Sequence, residues 1–184
     1  MKPKAICVGI LLSIMFVSCI NAQQGDFPVL KGPYLGQKPP GMTPEIFAPG
    51  IVSHQRSVHS ATIFSPDGSE VYWTVMNDSE SMRIVFMKQV DGVWTQPQEV
   101  PFTSTSDDAN PFFSSSGDSI YFKSYRGGGN AIWVTNREGN GWSNPVNLGA
   151  PFSSSVLGWQ ASITKGRTIY FVRATGGFGS HDIY

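Results

Sequence analysis

The residues able to do chemistry in this 184-residue chain are few and widely spaced. Histidine occurs at His54, His59 and His181. His59 stands just before an apolar run, and the residue 49 positions later is Asp108. Asn110 and Gln160 hold comparable places before later apolar runs. Polar side chains at equivalent strand starts could form a ring that binds a ligand or an ion. The same side chains could instead cap strand ends and bind water. Asp107 and Asp108 are adjacent, and neighbours on a strand point to opposite faces, so they do not make one acid/base pair.

No catalytic residue stands out. Serines are plentiful, but there is no Gly-x-Ser-x-Gly elbow and no spaced Asp/Asn calcium loop. Gly176-Gly177-Phe178-Gly179 lacks the third glycine and the following helix of a dinucleotide loop, and reads as a hairpin. No metal or cofactor is implied. Recurring Tyr and Trp at strand ends suit either carbohydrate stacking or packing between sheets, and packing is the better fit to their regular spacing.

The two cysteines, Cys7 and Cys19, both fall in the N-terminal stretch. Residues 1–22 read as an export signal: Lys2 and Lys4 form a basic start, and Ala5 to Val17 is apolar except for Ser13. Two processing sites compete. Phe16-Val17-Ser18-Cys19 resembles a bacterial lipobox and would place a lipid on Cys19. Ile20-Asn21-Ala22 resembles an ordinary signal-peptidase site. Either way the mature chain is left without thiols, which excludes Cys-based zinc sites and cysteine nucleophiles. The expected location is the periplasm, the outer membrane or the cell surface, with membrane attachment only through the possible lipid.

Thirteen basic residues balance thirteen acidic ones, and only 14% of residues are charged. A nucleic-acid partner would need a basic excess, so none is expected. Hydrophobic residues at 40% permit a packed core, while Gly 20 and Pro 13 are too many for a helical bundle. The composition points to a turn-rich, all-β chain.

The chain after the leader is a repeat. Phe64 to Trp73 reads as an apolar residue, a turn and an apolar strand; Phe113 to Phe122 and Ile163 to Phe171 read the same way. Tyr72, Tyr121 and Tyr170 are spaced by 49. A later Trp-x-x-Pro element recurs as Trp94 to Pro97 and Trp142 to Pro145. Four short strands in about 49 residues is the size of a propeller blade. Pro44, Phe47, Ile51 and Ser53 match Pro145, Leu148, Phe152 and Ser154 at a spacing of 101. Residues 43–53 are therefore expected to be a closing strand, after an irregular lead-in over 23–42. Blades are expected over 59–105 and 108–155, with a partial blade over 159–184. Phe64, Tyr72, Phe113, Tyr121, Ile132, Trp142 and Tyr170 are the expected core.

These units resemble the TolB-like β-propeller repeat of bacterial envelope proteins, a relative of the WD-type repeat. Phe64-Ser65-Pro66-Asp67-Gly68, the strand ends Tyr72-Trp73, Tyr121-Phe122 and Tyr170-Phe171, the Trp-x-x-Pro elements and Asp182-Ile183-Tyr184 carry the resemblance. It implies an all-β propeller of four-stranded antiparallel blades, six when complete, of which this chain would be an incomplete arc. It also implies a binding or scaffold module for an envelope protein, a peptide or a glycan. The alternative is a propeller-fold polysaccharide lyase or hydrolase, or a peptidase-associated propeller, using His and carboxylates at the channel mouth. The candidate ligand-binding residues there are His59, Asp108, Asn110 and Gln160. Fold alone does not decide between binding and catalysis.

Overall fold

The computed structural model describes residues 27–56, 61–153, 157–174, 176 and 179–184. The export signal with Cys19, and His59, lie outside the described residues. Three antiparallel sheets follow one another along the chain. The first is built from β1 (Ile63–Phe64), β2 (Glu70–Met76) and β3 (Met82–Val90), with β4 (Val93–Trp94) and β5 (Gln98–Glu99) both on β3. The second repeats this plan with β6 (Asp108–Phe113), β7 (Ser119–Ser124), β8 (Ala131–Glu138), β9 (Gly141–Trp142) and β10 (Val146–Asn147). The third has β11 (Leu157–Ile163), β12 (Ile169–Ala174) and β13 (His181–Ile183). No closed ring forms among the described residues.

Turn chemistry sets the hairpins. Asp91 and Gly92 both have positive φ, 52° and 75°, which matches the twist of a two-residue hairpin between β3 and β4. Between β1 and β2 the Asp67 carboxylate accepts from Ser65 Oγ at 2.6 Å, Ser69 N at 3.0 Å and Ser69 Oγ at 2.8 Å. Those donors favour the charged form and draw Asp67 down to about 2.

The Trp-x-x-Pro element is not itself the outer strand. Trp94 and Trp142 sit on short arms, β4 and β9, that extend β3 and β8. The two-residue strands after the prolines, β5 and β10, supply the outer edge. A proline has no N–H to continue the first ladder, so the chain leaves it there and rejoins the sheet further back.

Each sheet packs face to face on the next. Tyr72 and Ile84 of the first sheet meet Ile120 and Phe122 of the second, with Val100 and Phe102 of the connecting segment between them. Tyr121 and Ile132 meet Phe171 of the third sheet, with Leu148 and Phe152 in the corresponding place. The opposite face of the first sheet, Val71, Trp73, Val85 and Met87, is covered by Leu35, Ala48 and Val52, with Phe47 and Ile51 alongside.

That cover is the segment expected as a closing strand, and it is not one. Residues 43–53 form turns and a single parallel bridge, Pro49 to Ser53. They nevertheless follow the route of 145–154. Ile51 N donates to Ala48 O as Phe152 N donates to Gly149 O, and Ala48 and Gly149 both have positive φ, 41° and 72°. What is missing is a strand to pair with. The Gln37 side chain stands in its place: Nε2 donates to Ile46 O at 3.0 Å and Oε1 accepts from Ala48 N at 2.7 Å.

The expected core needs correcting at four positions. Tyr72, Tyr121 and Ile132 are buried, but Phe64, Phe113 and Trp142 are half-buried and Tyr170 is 48% exposed. Tyr170 lies on the face of β12 opposite Phe171, where no further described sheet covers it.

Candidate functional site

Asp108 opens β6 and is fully buried. Its Oδ2 accepts from Ser104 N at 2.8 Å, Ser104 Oγ at 3.1 Å and Arg126 Nη2 at 2.8 Å, while Oδ1 has no hydrogen-bond partner. Arg126 also donates to Phe102 O at 3.0 Å and, through Nε, to Ser124 Oγ at 3.0 Å. Its guanidinium lies 5.0 Å from the Phe122 ring centre and 5.3 Å from that of Trp133. Asp108 and Arg126 thus form a closed joint between the connecting segment and the second sheet.

Asn110 follows on the same strand in a left-handed conformation, φ 52°, and its N–H donates to Thr74 Oγ1 of the first sheet at 3.0 Å. Asn110 and Pro111 sit in a bulge: β6 spends one more residue than β7 between the Ala109–Lys123 and Phe112–Tyr121 pairs. Gln160 lies in a second bulge, between Leu157 and Ala161 of β11, and is exposed. Asp108 and Asn110 therefore share one strand start, and Gln160 occupies the corresponding bulge of the next sheet. Among the described residues no group of three His, Cys, Asp or Glu could hold a metal. Lys123, buried on β7 with Nζ 5.4 Å from the Tyr125 ring centre, is pulled down to about 8 by burial.

The structure places a cleft elsewhere, on the outer face of the first sheet. It holds about 760 Å³, with Trp73, Val75 and Val85 on the sheet side, Ile51 on the cover side, and Arg56, Asn77, Asp78 and Glu99 around them. Arg56 pairs with Asp78. Trp73 is only 2% exposed, and its Nε1–H is buried without an acceptor. A buried donor left unpaired is costly, and Trp133 Nε1 in the second sheet is left the same way, so it is the open cleft beside Trp73 that sets the two apart.

The strand registers explain why the cleft exists. Trp73 pairs with Val85 and Val85 with Glu99; in the next sheet Phe122 pairs with Trp133 and Trp133 with Asn147. The cleft is therefore the position filled in the second sheet by Arg126, Trp133 and Phe102. The corresponding residues are the smaller Asn77, Val85 and Ile51. Asn77 is committed to its own hairpin, where Oδ1 accepts from Ser79 N at 3.0 Å and Ser81 N at 2.9 Å. Sequence reasoning missed this site. The signal was present as three volume losses between repeats, but it needs the strand register to be recognised.

No family model matches the chain, and no curated protein matches it. Among solved structures, the chain is similar to the crystal structure of TolB from Acinetobacter baumannii, with a TM-score of 0.52 and 21% identity over 72% of this chain. The fold is TolB-like. The matched region spans 30% of that TolB chain, so the three sheets correspond to a part of it. The TolB-like arrangement agrees with the face-to-face stacking of the sheets and with the all-β architecture.

Proposed function

We propose that this chain is a binding module of an exported, TolB-like β-propeller, and that the cleft over Trp73 receives its ligand, a protein, peptide or glycan of the bacterial envelope. The observation that carries the reading is the coincidence of an open 760 Å³ cleft with a buried indole N–H lacking an acceptor. Pockets with a mainly apolar floor and a few placed polar groups are the usual form of a binding site. The joint at Asp108 supports the same reading, because its carboxylate already serves Arg126 and Ser104. Export rests on the leader residues Lys2, Lys4 and the apolar run to Val17. Further blades would complete the ring, in keeping with the share of the TolB chain that is matched. The test is a peptide and glycan array on the mature chain, with each hit repeated on a Trp73→Phe variant. A hit that weakens in the variant supports the reading, and hits indifferent to Trp73 overturn it.

A further inference from the structure

We propose that residues 30–37 of the lead-in are a strap that opens while the sheets stay folded, and that its opening lengthens the cleft over Trp73 along β2 for an apolar ligand. The proposal rests on the binding-module reading above and names how that site is regulated.

The cleft occupies half of one sheet face. Val71 stands opposite Met87 and Trp73 opposite Val85, with Val75 next along the same face of β2. Trp73, Val75 and Val85 line the cleft, while Val71 and Met87 are fully buried beneath Leu35, Ala48 and Val52. Of these three cover residues, Leu35 belongs to the strap. Moving it aside carries the apolar floor of the cleft on from Trp73 toward Val71.

Neutral groups hold the strap. Leu30 O accepts from Trp94 N at 3.0 Å, and Gly32 O accepts from Trp94 Nε1 at 2.8 Å and from Gln89 Nε2 at 3.1 Å. In the second sheet the counterpart of Gln89 is Arg137, which is gripped by both carboxylate oxygens of Glu70 from the first sheet. The strap therefore sits where a neighbouring sheet would grip, with a carbonyl in place of a carboxylate. Bonds between neutral groups are about half as strong as those to a charge.

The strap is also bent against its own preference. Tyr34 and Leu35 both have left-handed φ, 52° and 56°, a region that residues with a Cβ avoid. The strain of two such residues offsets much of what burying one leucine gains. A few bonds and one buried side chain mark a segment that opens ahead of the global fold.

The experiment follows hydrogen exchange by NMR in the whole chain, with Nile red as a neutral apolar probe. The amide and indole protons of Trp94 should exchange at least about a hundredfold faster than the amide of Val85 in the β2–β3 ladder. Gly36 has φ 81°, and a Cβ there would come within 2.9 Å of Lys31 O and meet no sheet residue. Gly36→Ala should therefore speed Trp94 exchange about tenfold, leave Val85 unchanged, and tighten Nile red binding by a similar factor. The dye should shift the Trp73 indole resonance. Lys31 and Val93 face each other in an antiparallel bridge. Lys31→Cys with Val93→Cys, in a chain whose Cys7 and Cys19 are serine, should pin the strap, slow Trp94 exchange and weaken dye binding until a reductant is added. This reversible form decides the matter if Gly36→Ala does not fold. Trp94 exchanging no faster than Val85 overturns the strap, and so does dye binding indifferent to the bridge. Where the dye still shifts Trp73, both results leave the binding module standing. A dye that moves the Trp73 resonance in none of the forms overturns both.

Discussion

Both terminal nitrogens of Arg137 donate to the Glu70 carboxylate, at 3.0 and 2.8 Å, across 67 residues of sequence. The pair ties the end of β8 to the start of β2, and the guanidinium lies 4.0 Å from the Trp142 ring centre. Tyr72 adds a hydrogen bond to the same carboxylate at 3.2 Å, and burial pushes its phenol well above its ordinary range. This cluster fastens the first sheet to the second. Glu70→Ala should lower stability by about 1–3 kcal/mol, read as a fall in urea midpoint. Arg137→Lys should recover little of what Arg137→Ala loses, because an ammonium cannot make the two-pronged contact. Full recovery by lysine would show that only the charge matters.

Lys123 gives the chain a pH signature. Burial pulls it from 10.5 to about 8 in the folded state. Between those values the unfolded chain holds a proton that the folded chain does not, so stability rises with pH from about 8 to 10.5. Below pH 8 the full penalty applies, on the order of 3 kcal/mol. Lys123→Met should be more stable at pH 7 and should lack the alkaline rise. Identical pH profiles for the two proteins would place the charge in water.

Trp94 should matter more than Trp142. Trp94 is buried, and its Nε1–H donates to Gly32 O at 2.8 Å, tying the lead-in to β4. Trp142 is half-buried beneath Arg137. Trp94→Ala should cost about 3–5 kcal/mol, and Trp142→Ala clearly less. Trp94→Phe keeps most of the ring and should lose about 1 kcal/mol. Thermal melts of the three variants rank them directly.

The third sheet leaves Tyr170 and Ile183 exposed at 48% and 75%. An uncovered apolar face with an open strand edge favours self-association. Residues 23–184 expressed alone should sediment as a concentration-dependent mixture, and a Tyr170→Ser, Ile183→Ser double variant should shift it toward monomer. A monodisperse preparation of the same residues would show that this face tolerates water.

The proposed export signal makes a chemical prediction of its own. Expressed in a bacterial host with labelled fatty acid, the protein should take up label at Cys19, and Cys19→Ala should not. Equal labelling of both forms would leave the Ala22 cleavage site as the remaining route.

The repeat at 49 residues is readable in the sequence because Tyr72 and Tyr121, and Phe64 and Phe113, keep their spacing through every turn. It locates the strands and the buried sides of β2 and β7. It says nothing of Tyr170, whose burial depends on a neighbouring sheet and not on its own strand. The Asp108 equivalence to His59 is equally visible, but its meaning is fixed by Arg126, 18 residues away and brought close only by folding. The cleft is harder still. Ile51, Asn77 and Val85 are unremarkable one by one, and their joint deficit appears only when cross-strand partners are known. The Gln37 contact escapes any reading by period, because a side-chain amide there imitates backbone.

Gln37 has a consequence for how the molecule comes apart. Its amide is neutral, so dissolved ions do not screen the two bonds that hold residues 46 and 48. The Arg137–Glu70 pair, part-exposed, is screened. Sulfate would also strengthen the burial of Leu35, Val52 and Trp94. The first sheet therefore has one seam with a bond that ions screen and one whose bonds they leave alone. In concentrated brine the seam to the second sheet would lean more heavily on Tyr72, Ile84, Ile120 and Phe122, while the N-terminal wrapping would keep its contacts unchanged.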